Sequence, residues 1–356
     1  MRLVPGRHRR TRTLSVAAAV SVAAGAGGVC LGLTEDGARA AGTVTVSTTA
    51  QLQAAVAGAT AGTTVQVRGG TYRPTSTLRS AANGTAAARI TLTAYDGERV
   101  TIDGSKLPDG SWLAGIDGDY WTVRDLTFRH APAQGFVATS STGGVFDNLV
   151  TADNGDTGFT LRGDGTTGNL VRDLDSHGNY DAAGHGRNAD GLAVRFGSGT
   201  GNRITGAALY ENADDGVDLW QFSTPVTVEH SRAFGNGENR WHDVAFEGNG
   251  NGFKLGGGGV SVAHVVNSNA AWDNALHGFT ENANTGAVVL RGNTARANAG
   301  SGFWFATGAA RLEENSAADN GGGAAELGPS TVSRDNTWDD GTGQAADVKP
   351  GRLTRR

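Results

Sequence analysis

Between Gln134 and Phe303 the chain returns seven times, at a regular spacing, to one short phrase: any residue, then Gly, then an apolar residue. The instances are Gln134-Gly135-Phe136, Thr157-Gly158-Phe159, Asp190-Gly191-Leu192, Asp215-Gly216-Val217, Asn251-Gly252-Phe253, His277-Gly278-Phe279 and Ser301-Gly302-Phe303. The steps from Gly to Gly are 23, 33, 25, 36, 26 and 24 residues. An Asn keeps pace at 154, 179, 212, 236, 274, 298 and 320. The underlying period is 22–26 residues, interrupted by two insertions. A unit of this length cannot bury its own apolar face, so the units must stack. Short alternating strands with Gly and Asn at the turns predict an all-β fold, the coils of a parallel β-helix, with the Asn forming an internal ladder at one turn. Leucine-rich repeats share the period, but their Leu-x-x-Leu-x-Leu pattern is absent. Gly makes up 56 of 356 residues, about double the usual share of ~7%, which excludes helical repeats.

The ends read differently. Residues 1–40 carry a basic start (Arg2, Arg7, Arg9, Arg10, Arg12), an apolar stretch from Leu14 to Leu33 and small residues at Ala38 and Ala40. This is the pattern of a secretory signal peptide cut after Ala40. The competing reading, a membrane anchor, is disfavoured by the Gly residues that break the apolar core, so no membrane association is expected after cleavage. Cleavage would also remove Cys30, the only Cys. The remaining protein must then rely on a large packed core without disulfides. Residues 41–330 are expected to form the β-helix. Its open end would be covered by a short helix in Ser47–Gly58, hiding a sheet edge. After about Leu327 the periodicity fades, and 331–356 are expected to be loosely structured.

Loss of residues 1–40 takes away six Arg and two acids, moving the formal charge from −5 to −9. No basic stripe remains to neutralise phosphates, so nucleic acid is excluded as a partner. A monomer is expected.

Side chains alternate between the faces of a strand. With the repeats aligned on Gly, the following residue points inward and the next one outward. The outward column reads Thr160, Ala193, Asp218, Lys254, Thr280, Trp304, and the column before Gly reads Thr157, Asp190, Asp215, Asn251, His277, Ser301. Adjacent coils lie about 4.8 Å apart, so Asp190 stacks on Asp215 and Asp218 on Lys254, with Asp214 at the turn into the same strand. Four carboxylates on one patch repel one another and call for a cation. An all-oxygen donor set without Cys or paired His favours Ca²⁺ over Zn²⁺. Of 30 basic residues only three are Lys. Lys254 beside this cluster is a candidate base, because Lys can lose its proton in a protein whereas Arg cannot. Each Asp-Gly pair taken singly would be an ordinary turn former; the convergence of four is what points to a site. Arg195, outward and two residues past Ala193, is a candidate for binding a substrate carboxylate. The insertions, around Gly178–Arg187 and Gly237–Gly250, enter the coils of Asp190 and Lys254. Long loops on a rigid scaffold commonly build clefts, which makes Arg240, Trp241 and His242 candidates for gripping an oligosaccharide.

The strings NADGLAV, NADDGVDLW, NGFKLGGGG, AHVVNSNAAWDNALHGF and NANTG, in that order, resemble polysaccharide lyase family 9, the calcium-dependent pectate lyases with a right-handed parallel β-helix. The resemblance runs from about Gln51 to Asn320. It implies calcium bound by Asp190, Asp214, Asp215 and Asp218, with Lys254 as catalytic base. It further implies a secreted enzyme that cleaves an acidic polysaccharide, polygalacturonate, by β-elimination. A cation shared between protein and polymer would let an acidic protein hold an acidic substrate. Two rivals stay open at this stage. One is a polygalacturonase-like hydrolase using paired carboxylates; the other is a non-catalytic β-helical adhesin or sugar-binding protein.

Overall fold

The computed structural model describes residues 42–339; the candidate signal peptide and residues 340–356 lie outside them. Among the described residues thirty-two strands and one helix follow one another, and the strands assemble into three parallel sheets. The first sheet has 12 strands, from Thr43–Val46 to Val332–Arg334. The second has 10, from Gly70–Tyr72 to Ser316–Ala318, and the third has 10, from Leu78–Ser80 to Ala325–Leu327. Each coil visits the third, first and second sheet in turn. Phe136–Thr139, Val145–Asp147 and Val150–Ala152 make one such circuit, and Phe159–Asp164 begins the next. This is the predicted parallel β-helix.

The repeated phrase has a packing cause. A Cβ at Gly252 would lie 2.6 Å from the carbonyl oxygen of Gly278 and 2.8 Å from the Cβ of Ala271. A side chain there would collide with the next coil, so the backbone turns inward only at Gly. The apolar residue that follows enters the core. Phe253, Phe279 and Phe303 are fully buried, with ring centroids 4.8 and 4.9 Å apart at 6°. Such stacked rings contribute about 0.5–1.5 kcal/mol per pair beyond the area they bury.

The Asn ladder is present at the corner between the second and third sheets. The side-chain amide of Asn154 donates to Asn179 at 2.9 Å, and the chain of bonds continues through Asn212, Asn236, Asn274, Asn298 and Asn320 at 2.8–3.0 Å. The residue before each Asn has a left-handed backbone, including Asp153 (φ 53°) and Glu211 (φ 56°), which makes the corner tight. A second ladder, Asn269–Asn293–Asn315–Asn336, runs between the first and second sheets.

That second ladder corrects the expectation of a loosely structured 331–356 for residues 331–339 alone, since the rest lies outside the described residues. Residues 331–339 are ordered: Val332–Arg334 pairs with Arg311–Glu313, and Asn336 accepts from Asn315. Trp338 packs over Phe303 at 5.0 Å, covering the end of the core where Ala324 and Ala325 replace the bulkier phrase. At the other end the helix Thr49–Ala57 buries Leu52, Ala55 and Val56. Thr48 caps it by accepting from the Gln51 N–H at 3.2 Å, while Gln51 Oε1 accepts from the Ser47 N–H at 2.9 Å. This reciprocal box satisfies two donors that would otherwise be orphaned. Among the described residues no helix is long and apolar enough to cross a membrane.

Candidate active site

The register of the third sheet places the two columns as the repeat spacing predicts. Leu192, Val217, Phe253 and Phe279 are mutual partners, and so are Ala193, Asp218, Lys254 and Thr280. Asp190 and Asp215 precede the first two of these strands. Lys254 Nζ lies 2.7 Å from Asp215 Oδ2 and 3.5 Å from Asp218 Oδ1, with 12% of its side chain exposed. It also sits 5.4 Å from the ring centre of Trp220.

Each carboxylate is held by neighbouring coils. Asp215 Oδ1 accepts from the N–H of Asn251 at 2.9 Å and from its side-chain amide at 2.8 Å. This leaves Oδ2 facing Lys254. Asp190 Oδ1 accepts from the Asp215 N–H at 3.3 Å, and its Oδ2 takes the Thr157 hydroxyl at 3.1 Å and Arg195 at 3.4 Å. Asp214 Oδ1 accepts from the Asn249 N–H at 3.0 Å. Asp218 Oδ1 is buried and receives no hydrogen bond.

The electrostatics are unbalanced. Four buried acids, Asp190, Asp214, Asp215 and Asp218, face two cations, Arg195 and Lys254, so the four cannot all ionise without a further cation. Burial, reinforced by the charges of Asp218 and Asp215, pushes the Asp190 carboxyl well above its usual range. Burial and the charges of Asp215 and Asp190 do the same to Asp214. Burial pushes Asp218 up to about 6, even though Lys254 opposes the shift. For Lys254, burial disfavours the charged form, but the four aspartates together outweigh it and hold the ammonium protonated.

Such a cluster suits a divalent ion. Asp190, Asp215 and Asp218 each offer an oxygen, all within 4.8 Å of one another. Calcium takes oxygens at about 2.3–2.6 Å, so two donors on opposite sides of one ion are separated by about that span. The Asp218 oxygen, whose one partner is Lys254 at 3.5 Å, and the excess of acids over bases fit the same group. Asp214 stands beside this trio rather than within it, close enough for its charge to be felt.

The other predicted residues are placed as follows. Arg195 is buried and engaged with Asp190, Thr157 and Asp156, the last at 3.6 Å. Arg240 pairs with Glu238 at 2.5 Å and Glu211 at 3.7 Å, lining a cleft of about 460 Å³ that none of the four aspartates borders. Trp241 stacks on Tyr180 at 4.6 Å, and His242 is exposed. Arg240 and Trp241 are therefore occupied in loop architecture. The two insertions are bolted together at Asp243, which accepts from Tyr180 at 2.7 Å and meets His185 at 2.9 Å. Hydrogen bonds from Tyr180, Ala245 and His185 lower its carboxyl to about 2. Asn251 and Trp220 were not singled out from sequence. Asn251 lies on the pre-Gly column and Trp220 two residues beyond Asp218, so the alternation rule could have found them.

A family described as the Pel9A-like right-handed β-helix region matches residues 32–318. The chain belongs to that family. It is 40% identical to "Pectate lyase PEL9" of Emericella nidulans, over 81% of this chain and 78% of the relative. It is 32% identical to "Pectate lyase L" of Dickeya dadantii, over 82% and 71%. Among solved structures, the crystal structure of pectate lyase Pel9A superposes with a TM-score of 0.75 at 31% identity, covering 82% of this chain and 75% of that one. The resemblance to polysaccharide lyase family 9 and the handedness it implied both hold, and the chain is a polysaccharide lyase.

Proposed function

We propose that this protein is a secreted, calcium-dependent pectate lyase that cleaves polygalacturonate by β-elimination, with Lys254 as base. The observation that carries the reading is the part-buried Lys254, its Nζ 2.7 Å from Asp215, next to an aspartate trio of calcium-ligand dimensions. Asp190, Asp215 and Asp218 would hold the ion, with Asp214 beside them. When bound, calcium neutralises the uronate carboxylate and acidifies the C5 proton as a Lewis acid.

The remaining work falls to the chain. Arg195 and Thr157 orient Asp190, and Asn251 fixes Asp215, so the donor set is assembled before substrate arrives. Neutral Lys254 takes the C5 proton at Nζ. The C5–H electron pair becomes a C4=C5 double bond, the C4–O bond breaks, and the departing oxygen is protonated from solvent. No water is added across the bond. Because the aspartates favour the ammonium, turnover should rise as pH climbs above neutral. A hydrolase would instead use a carboxylate pair as acid and base and would add water at each cleavage.

The test is incubation with polygalacturonate, with calcium or with a chelator, followed by ultraviolet detection and mass spectrometry. Unsaturated products that disappear with the chelator are expected. Products that carry an added water at every cleavage would overturn the reading.

A further inference from the structure

We propose that Arg162 forms a remote subsite for a free uronate carboxylate of the same polymer, three coils before Lys254 on the outer face of the third sheet. This rests on the pectate lyase reading and extends it to where the rest of the chain lies.

Two residues beyond the column of Asp218 and Lys254, alternation gives a second outward column. It runs Thr139, Arg162 and Arg195 in register, and Trp220 follows. Arg162 and Arg195 therefore occupy the same place on adjacent coils, and like charges there repel. The protein neutralises one and not the other. Arg195 is buried against Asp190 and Asp156. Among the described residues Arg162 makes no ion pair, and its guanidinium makes no hydrogen bond. The nearest acid on its strand, Asp164, instead accepts from Ser198 at 2.8 Å.

Arg162 lies beside two aromatic rings. Its guanidinium carbon lies 5.8 Å from the ring centre of Trp112 and 5.8 Å from that of Phe196. Phe196 is the extra residue of a bulge: Arg162 pairs with Arg195, but Gly163 pairs with Gly197. It has φ 53° and is 46% exposed. A bulky side chain is disfavoured in the left-handed region, and a bulge commonly re-aims a side chain next to an active site. Here the aim is outward, beside Arg162. These contacts, with the Phe196 ring shared by Arg195 at 5.7 Å, leave the N–H fork of Arg162 without a partner among the described residues. A planar fork of that kind matches a carboxylate, and the exposed Phe196 ring offers an apolar face to a sugar. Three coil steps span roughly 14 Å. A coil step is comparable to the length of one sugar, so Arg162 meets a uronate about three residues from the scissile bond. It supplies an attraction that the overall negative charge of the chain does not.

The experiment compares the wild-type chain and Arg162→Gln, both with calcium, on polygalacturonate, on oligogalacturonides too short to reach from Lys254 to Arg162, and on highly methyl-esterified pectin. For Arg162→Gln on polygalacturonate, KM should rise about five- to tenfold, consistent with loss of a partly exposed charged hydrogen bond, while kcat changes less than about twofold. The short oligogalacturonides and the esterified polymer should show no such rise, and Arg162→Lys should recover part of it. An unchanged KM on polygalacturonate, or an equal rise on short and long substrates, would overturn the subsite. If the wild-type chain forms no unsaturated product, the lyase reading fails instead. Calorimetric binding of long oligogalacturonates then reads Arg162 directly: weaker binding by Arg162→Gln supports the subsite, and equal binding overturns it.

Discussion

Two stretches of the same outward column behave differently. At Asp218 and Lys254 the column is charged, and the residues before Gly are Asp190, Asp215 and Asn251. One and two coils later the same places hold Thr280, Trp304, His277 and Ser301, on strands in unbroken register. There the groups satisfy one another: His277 Nδ1 accepts from the Ser301 N–H at 3.0 Å and its ring lies 5.7 Å from Trp304. Burial lowers the pKa of His277, favouring the neutral ring. The backbone is the same in both stretches, so the sheet provides addresses rather than chemistry. What differs is the surplus of like charge in one stretch, and the two insertions that enter only its coils.

The comparison is broken most severely at Lys254, the proposed base. Lys254→Arg keeps the positive charge but removes a side chain able to give up its proton. Turnover should fall by about 10²–10⁴, the usual contribution of a general base, with calcium binding retained in calorimetry. Near-normal turnover would show that the charged stretch works by charge alone. A smaller effect is expected for Asp215→Asn. The new amide can keep its oxygen on the Asn251 donors only by turning its NH₂ toward Lys254 and the ion. Calcium affinity measured by calorimetry should drop by about 10–100-fold; an unchanged value would remove Asp215 from the donor set.

The smallest effect is on stability. Asp218 is raised in the folded chain to about 6 from an ordinary value of 3.8, and Asp190 and Asp214 are raised too. A raised carboxyl contributes stability that is fully present below pH 4 and is lost as pH rises through 6. A bound cation opposes that loss. The difference between Tm in calcium and Tm in chelator should therefore widen from pH 4 to pH 7. Taking the difference cancels remote groups such as buried His264, whose pKa burial lowers to about 4. A flat difference would mean that the cluster does not feel the ion.

Much of this was legible in the chain because Gly fixes the phase of every coil. Once each Gly is aligned, inward and outward follow from alternation, and Asp218 meets Lys254 without further information. The second Asn ladder was harder to see because Ser231 stands in it: the Ser231 N–H donates to Asn269 and its hydroxyl accepts from Ala207. The strand Val332–Arg334 was hidden because its side chains are largely exposed and carry no apolar alternation. Arg240 and Trp241 could not be assigned because their partners are set by loop folding, with Tyr180 reaching Trp241 across two coils. Arg162 looks like any solvated Arg until its missing acid and its two rings are seen together.

The ladder corner also decides how this scaffold can change. Both insertions leave the chain directly after a ladder residue, Asn179 or Asn236, and rejoin it before Gly191 or Gly252. Each start is pinned by side-chain amides and each end by backbone bonds, such as Gly191 N–H to Asp215 at 2.9 Å. Between the pins, length is nearly free, since doubling a flexible loop costs only about 0.6 kcal/mol. The corner works as a socket: a different loop can be fitted there to meet a different polymer, while the aspartates and Lys254 keep the spacing that the sheet gives them.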